Sequence, residues 1–146
     1  MNLEQLIDQW EVDSAIDDTF LDRESIRTPS IHAKYLRIMM GYKMKLSALK
    51  AEYNTLRQKK FRYYRGEMGK AELQECGWDQ WQGVKPLKNE MNEFLEGDAD
   101  LNRISIKCQY LENMIQGVES IMSQVKARDW QIRNTIEWKK FITGGT

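Results

Sequence analysis

The most regular feature of the chain is a series of apolar residues in its first half. The spacing alternates between four and three residues along Tyr35, Met39, Tyr42, Leu46, Leu49, Tyr53 and Leu56. This heptad pattern is typical of a helix that packs along another helix. Residues 29–65 contain a single glycine and no proline after the first position, so they predict one helix, roughly 55 Å long. A compact domain of this size cannot cover such a helix, and we expect it to pack along a second long helix or along copies of itself.

A second heptad pattern begins at Leu101 and runs towards the end of the chain. It continues through Ile104 and Cys108. The two patterns predict an antiparallel pair of long helices. An adjacent aromatic face on the second helix leaves apolar surface that one pair cannot bury, which favours self-association. The residues predicted to form the oligomer contact are Leu111, Ile115, Val118, Met122, Val125, Trp130, Ile132, Ile136, Trp138 and Phe141.

Shorter elements are predicted before the first long helix. A helix is expected over residues 3–11, then a loop or short strand over 12–21, then a helical turn over 22–27. Thr28 and Pro29 have the residue types of an N-cap and a first helical position. They predict that the long helix starts there.

Glycines mark the connection between the two long helices. Gly66 and Gly69 are expected to end the first helix. A loop with two tryptophans follows, then a short helix over residues 86–96 that Gly97 closes. Asp98 is placed to cap the last helix. The fold class predicted by all these signals is all-α, with two long heptad-patterned helices and several shorter ones.

Composition narrows the possible functions. The chain has 146 residues, of which 41% are hydrophobic and 30% charged, with two prolines and nine glycines. These values suit one domain, or one domain with an appended arm, and argue against collagen-like, disordered or turn-dense all-β chains. No apolar run approaches the roughly 18 residues of a membrane span, so no membrane association is expected.

The residues also lack the patterns of common catalytic sites. There is no phosphate-binding glycine loop, nucleophile elbow or HExxH motif. The single histidine, His32, has no neighbour in sequence that would orient it as a base. The acidic turn at residues 13–18 does not match the spacing of a calcium loop. Cys76 and Cys108 are expected to be free thiols in a reducing cytosol. We therefore expect no enzymatic activity, metal or cofactor.

The total charge of zero conceals four blocks of alternating sign. Residues 1–33 hold eight acids and two bases, and residues 34–70 hold two acids and eleven bases. Residues 71–102 hold eight acids and two bases, and residues 103–146 hold four acids and seven bases. The net charges are thus −6, +9, −6 and +3. The basic block is a candidate phosphate-binding surface, or else it pairs with the acidic blocks of the same or a neighbouring subunit.

The end of the basic block interleaves cations with aromatic rings. Single-stranded nucleic acid offers phosphates to the cations and unstacked bases to the rings. The alternative is a solvated helix end with its tyrosines in the core and its cations near the helix C-terminus. The residues predicted to bind DNA are Arg57, Lys59, Lys60, Arg62, Tyr63, Tyr64, Arg65 and Lys70.

Four short segments, in order along nearly the whole chain, carry a family resemblance. They are IDDT at 16–19, IHAKYL at 31–36, KFRYYRG at 60–66, and a C-terminal helix with isoleucines, Trp138 and Phe141 before a glycine ending. Together they resemble the UvsY recombination mediator family of T-even-like bacteriophages.

The resemblance implies a non-enzymatic protein that assembles into a ring of about six or seven subunits. It implies binding to single-stranded DNA, and contacts with a RecA-like phage recombinase and with the phage single-stranded-DNA-binding protein. In the family the basic segment before the paired tyrosines is linked to DNA binding, and the C-terminal region to assembly. Lys60 matches the basic position nearest the tyrosines. Gln58 stands where another basic residue is expected, and Lys59 is the candidate replacement.

The prediction is therefore an all-α, ring-like homo-oligomer. Residues 1–96 would hold an acidic arm and the DNA-binding helix, and residues 97–146 the oligomerisation helices. The expected function is to load the recombinase onto DNA covered by single-strand-binding protein, in recombination, recombination-dependent replication and repair, in the cytoplasm of the bacterial host. Two alternatives stay open: a coiled-coil adaptor or structural oligomer that does not bind nucleic acid, and a binder of duplex DNA or RNA.

Overall fold

The computed structural model describes residues 1–144, and this part of the chain is all-α, as predicted. Its helices are α1 (Leu3–Ser14), α2 (Leu21–Tyr64), α3 (Lys70–Cys76), α4 (Met91–Glu96) and α5 (Ala99–Ile142). The two long helices, α2 and α5, have 44 residues each. No strand occurs in residues 1–144, so the segment between α1 and α2 is a loop. The last two residues of the predicted C-terminal region, 97–146, lie outside the described part.

Contacts divide the chain into two compact units. Unit 1 comprises Met1–Met44 and the chain from Leu111 onward, and unit 2 comprises Lys45–Tyr110. Both long helices contribute a segment to each unit. The predicted DNA-binding residues all belong to unit 2, and the predicted oligomerisation residues all belong to unit 1.

In unit 1, α1 packs against segments of both long helices. Leu6 is completely buried and lies next to Gly117 of α5. A Cβ atom on Gly117 would lie 3.7 Å from the side chains of Leu3 and Leu6, which is ordinary contact distance. The ring of Trp10 meets the buried ring of Tyr35 edge-on, with centroids 5.5 Å apart. The apolar face of α1 is therefore part of the core, and the prediction of a helix here is confirmed.

The long helix α2 begins at Leu21, and the prediction that it starts at Pro29 is wrong. Thr28 does not cap a helix, because its hydroxyl donates to the Glu24 carbonyl at 3.3 Å. The guanidinium of Arg128 on α5, 2% exposed, donates to the same carbonyl and to the Thr28 hydroxyl, both at 3.0 Å. This buried contact stabilises the turn before Pro29, where proline leaves one helical hydrogen bond unmade.

The acidic turn between α1 and α2 uses its carboxylates within the chain. The Asp13 carboxylate accepts from the Lys34 ammonium at 2.6 Å and from the Tyr35 hydroxyl at 2.8 Å. Asp17 accepts from the backbone N–H and the hydroxyl of Thr19, which closes a local turn. The Asp13 and Asp17 carboxylates are thus paired with donors within the chain.

Most of the residues predicted to form the oligomer contact are buried within this chain. Six of them pack in the unit 1 core with α1 and α2, which leaves them little surface for a subunit contact: Leu111, Ile115, Val118, Met122, Val125 and Ile132. The heptad spacing of these residues thus reflects packing inside the chain. The exposed members of the set are Trp130, Ile136, Trp138 and Phe141.

Unit 2 has its own small core where the end of α2 meets α4 and the start of α5. Its buried members are Tyr64, Met91, Leu95 and Leu101. The carboxylate of Asp98 accepts from the backbone N–H of Leu101 at 3.0 Å. Asp98 thus caps α5 as predicted, and this cap fixes its carboxylate near the end of α2.

Candidate nucleic-acid interface

The candidate interface lies at the C-terminal end of α2. The helix ends in a Schellman motif, in which the N–H of Gly66 donates to the Tyr63 carbonyl and that of Glu67 donates to the Arg62 carbonyl, both at 3.0 Å. Gly66 has a φ of +70°, a left-handed conformation that glycine adopts without strain. The prediction that Gly66 ends the helix is confirmed.

Lys60 points into unit 2, and the expectation that it is exposed is wrong. Its side chain is 7% exposed, and its ammonium lies 3.2 Å from the Asp98 carboxylate and 2.9 Å from the Asp100 carboxylate. It also lies 4.1 Å from the centre of the Trp78 ring, within cation–π range. The hydrogen bond from Lys60 lowers the pKa of the Asp100 carboxyl. With two carboxylates at contact distance, the Lys60 charge is already neutralised within the chain.

The paired tyrosines are also fixed by the protein. Tyr64 is buried, and its hydroxyl donates to the Asp98 carboxylate at 2.7 Å. Burial, followed by this hydrogen bond, raises the pKa of Tyr64. The half-buried Tyr63 donates its hydroxyl to the Asp79 carbonyl at 2.6 Å. Its ring meets the Trp78 ring at 5.4 Å between centroids. Tyr64 is therefore a core residue, as the alternative reading of the sequence proposed, and Tyr63 presents only part of its ring.

The remaining predicted cations are all exposed. Arg62 pairs with Glu72 at 2.9 Å, and Arg65 pairs with Glu67 at 3.1 Å, with both partners of each pair at the surface. The hydrogen bond from Arg62 lowers the pKa of the Glu72 carboxyl. Such exposed pairs contribute little to stability and exchange readily for other anions.

The other three exposed cations are less constrained. Arg57 makes one hydrogen bond, at 3.3 Å, to the Asn92 side chain. Lys59 and Lys70 form no ion pair within residues 1–144. The structure thus brings five of the six predicted basic side chains to the surface near one helix end and buries the sixth.

Sequence reasoning missed the residues that surround this helix end. Asp98 was recognised only as a helix cap, although it also binds Lys60 and Tyr64. The two bases of the acidic block 71–102 are Lys85 and Lys88, and both lie in a cleft beside Phe61. Their isolation within an acidic block was the one available signal, because two like charges among eight opposite ones are conspicuous.

No cluster of metal-ligating side chains occurs in residues 1–144. Both cysteines are free thiols, as expected. In the same part of the chain, no helix combines the length and the apolar character needed to cross a membrane.

Comparison with known proteins defines a class for this fold. The profile of the family described as recombination, repair and ssDNA-binding protein UvsY matches residues 9–145. The chain belongs to this family, which confirms the resemblance seen in the sequence.

Individual relatives extend the match to almost the whole length. The recombination protein uvsY of Enterobacteria phage T4 is 22% identical over 144 residues, which is 99% of both chains. Two crystal structures of the bacteriophage T4 recombination mediator protein UvsY superpose with TM-scores of 0.84 and 0.85, at 21% and 20% identity. These matches cover 98% and 97% of this chain, and 98% and 99% of the T4 chains. At this identity the structural likeness shows the common fold.

Proposed function

We propose that this protein is a phage recombination mediator that binds single-stranded DNA. It would promote loading of a RecA-like recombinase onto DNA covered by single-strand-binding protein. The observation that carries the proposal is the family match over residues 9–145. The exposed cations at the end of α2 supply a physical basis for it. In this proposal the protein acts in recombination, recombination-dependent replication and repair in the cytoplasm of the bacterial host, without catalytic chemistry of its own.

The DNA contact would use the exposed side chains of the predicted set. Arg57, Lys59, Arg62, Arg65 and Lys70 would neutralise phosphates, and the exposed part of Tyr63 would lie against a base. Lys60 and Tyr64 would act indirectly, because their contacts with Asp98 hold the helix end against the start of α5. Lys59, exposed and without an ion pair in the described chain, fits the role left vacant by Gln58.

Self-association would multiply these weak contacts. Trp138 and Phe141 stack with ring centroids 5.7 Å apart and are 61% and 75% exposed. An aromatic surface of this kind is rarely left uncovered in a monomer. We propose that it forms the subunit contact of a ring of about six or seven copies. Each copy would present one basic helix end to the same strand, which raises the effective concentration of the second and later contacts. The proposed roles thus keep DNA binding within residues 1–96 and assembly within 97–146.

The mechanism follows from a strand held at several points. A ring that binds and bends the strand would compete with the single-strand-binding protein for the same phosphates. The strand released from the covering protein would then be available for recombinase nucleation.

A recombinase-loading assay tests the proposal. Long single-stranded DNA is covered with the phage single-strand-binding protein, and the DNA-dependent ATPase of the phage recombinase is followed with and without this chain. The proposal predicts a shortened lag, and the substitution Lys59→Gln combined with Arg62→Gln should lengthen it again. A lag that this chain does not alter would contradict the mediator function.

A coiled-coil adaptor without nucleic-acid binding is the second candidate. The ion pairs of Lys60 with Asp98 and Asp100, and of Arg62 with Glu72, are the acid–base contacts that this alternative requires. It predicts that an oligonucleotide does not bind at physiological salt. The exposed cations that form no ion pair at contact distance in residues 1–144, such as Lys59 and Lys70, favour the mediator instead.

A further inference from the structure

A cleft opens between the end of α2 and residues 85–88. Its volume is about 460 Å³, within the range of about 300–1,000 Å³ that small-molecule sites occupy. Arg65, Lys85 and Lys88 line it together with one carboxylate, that of Glu67, and with Phe61, whose ring centre lies 5.7 Å from the Arg65 guanidinium carbon. Three cations against one carboxylate make the cleft positive, although its second wall comes from the acidic block of the sequence.

The two lysines are available to a ligand. A Cβ atom on Gly66 would lie 3.1 Å from the Cε atom of Lys85, so this side chain lies directly over the helix end. Lys85 and Lys88 form no ion pair in the described part of the chain. Arg65 pairs with Glu67, but both side chains are about half exposed, and such a pair is weak.

The backbone that presents Lys85 is held in place by Trp81. The indole N–H donates to the Val84 carbonyl at 3.1 Å. A Cβ atom on Gly83 would lie 2.3 Å from the indole ring, so only glycine fits beneath it. The other side of the indole packs edge-on against Tyr64, with centroids 4.9 Å apart. The wall of the cleft is thus anchored to the unit 2 core, which lowers the ordering cost of binding.

Phe61 lies between two groups of cations. Besides the cleft, its ring lines a neighbouring depression of about 450 Å³, together with Arg57, Gln58 and Arg62. A ligand that crosses both would meet a cation-bearing surface, an aromatic ring and a second cation-bearing surface in turn. Unpaired nucleotides repeat phosphate and base in this order.

We propose that the cleft holds one unpaired base of single-stranded DNA on the Phe61 ring, with the adjoining phosphate bound by Lys85, Lys88 and Arg65. The inference rests on the proposed function and adds a specific nucleotide-binding position to it. An acidic peptide would use the lysines but would gain little from the ring. The ring between two sets of cations therefore favours a nucleotide.

The test uses the full-length chain and a fluorescently labelled oligo(dT) in a salt-titrated polarisation assay. Two variants remove the proposed contacts: Lys85→Gln with Lys88→Gln, and Phe61→Leu. The matched control is Lys43→Gln with Lys107→Gln, which removes two exposed lysines elsewhere. Circular dichroism melts verify that each variant is folded.

The double-lysine variant should bind more weakly than the control. Its slope of log affinity against log salt should fall by up to about 0.7 per occupied site, since all three cations of the cleft share one phosphate and each neutralised phosphate on a single strand contributes about 0.7. Phe61→Leu should weaken binding about tenfold at an unchanged slope, because it removes a stacking contact but no charge. If Phe61→Leu does not fold, the wild-type chain decides the question: an oligonucleotide that carries 5-iodouracil should cross-link to Phe61 or to residues 85–88.

The other outcomes separate the cleft from the function. Wild-type protein that fails to bind oligo(dT) would overturn both. Tight wild-type binding, with both variants equal to the control and cross-links elsewhere, would overturn the cleft alone. If the lysine variant weakens binding, Phe61→Leu has no effect, and polyglutamate of equal charge displaces the oligonucleotide as well as oligo(dT) does, then the cleft is a site for acidic peptides and the proposal is wrong.

Discussion

Replacing Lys60 by methionine separates a structural role from a DNA contact. Methionine keeps most of the side-chain volume and removes the ammonium that lies between Asp98 and Asp100. Breaking a buried ion pair by removing one partner costs about 3–5 kcal/mol, since the other charge stays buried. Two features reduce the cost here. Asp98 keeps hydrogen bonds from Tyr64 and Leu101, and the Asp100 side chain is 35% exposed and can be hydrated.

We therefore expect Lys60→Met to lose about 3 kcal/mol of unfolding free energy. For a chain of this length, that corresponds to a fall in melting temperature of roughly 6–12 °C. The neighbouring Lys59→Met is the control, because an exposed substitution changes stability by less than about 0.5 kcal/mol. The measurement is urea unfolding followed by circular dichroism at one fixed protein concentration, since assembly would make the midpoint concentration-dependent.

In DNA binding, measured well below the melting temperature, Lys59→Met should have the larger effect and Lys60→Met the smaller one. Lys59→Met should lower the salt slope by about 0.7 per contact, and Lys60→Met should leave it unchanged. A Lys60→Met protein as stable as wild type, with the salt slope lowered as in Lys59→Met, would refute the assignment. It would mean that Lys60 leaves its carboxylates to contact phosphate.

The ion pair between Lys60 and Asp100 also predicts that the stability of the fold depends on pH. The Lys60 hydrogen bond lowers the pKa of Asp100 in the folded state relative to the unfolded chain. Its contribution to stability is therefore complete above about pH 4 and disappears as the pH falls through the folded-state pKa. Wild-type protein should lose more stability below pH 4 than Lys60→Met does, as urea midpoints between pH 2 and pH 6 would show. Parallel curves for the two proteins would contradict the ion pair.

Further substitutions test the subunit contact and the C-terminal end of α2. The double variant Trp138→Ala with Phe141→Ala should form smaller species in sedimentation velocity and should bind DNA more weakly. The control Ile106→Ala, at another exposed position, should assemble normally. Unchanged sedimentation of the double variant would exclude the Trp138–Phe141 surface as the subunit contact. Gly66→Ala should lower the free energy of unfolding by about 1 kcal/mol or more, because Gly66 has a positive φ. Gly41 lies within a helix with no neighbour within 4 Å, so Gly41→Ala should raise the free energy of unfolding, measured in urea, by about 0.5–1 kcal/mol. The two changes should have opposite signs, and a neutral Gly66→Ala would argue against the Schellman ending.

The extent of the long helices followed from local rules, apart from one boundary. The pattern from Leu101 onward, with Asp98 as its cap, predicted α5 because neighbouring turns repeat the same apolar spacing. The start of α2 was wrong because Arg128, one hundred residues after Thr28, stabilises the turn before Pro29. The seven-residue α3 was not predicted because it is too short for periodicity and its N-cap, Gly69, offers no side-chain cap, whereas Pro86 and Gly97 marked the position of the six-residue α4.

The residue types at the end of α2 were enough to locate the candidate site in the sequence. They did not predict which of its side chains point to the surface and which are buried. Alternating cations and rings marked the end of α2. Lys60 is the next heptad position after Leu56, so the pattern puts it on the packed face, but a lysine there gave no sign that its ammonium would be buried. That burial depends on Asp98, which reaches Tyr64 from 34 positions later in the chain. Lys85 enters the same surface through a loop anchored by Trp81, a tertiary contact that no spacing rule encodes.

The central claim is that this chain binds unpaired DNA through a repeated basic surface. Its most direct test is a salt titration of polarisation with labelled oligo(dT) and with a duplex of equal length. We predict tighter binding of the single strand and an affinity that falls linearly with the logarithm of salt concentration, with a slope larger than the five exposed cations of one helix end can supply. No binding of the single strand at physiological salt, or equal affinity for the duplex, would contradict the account.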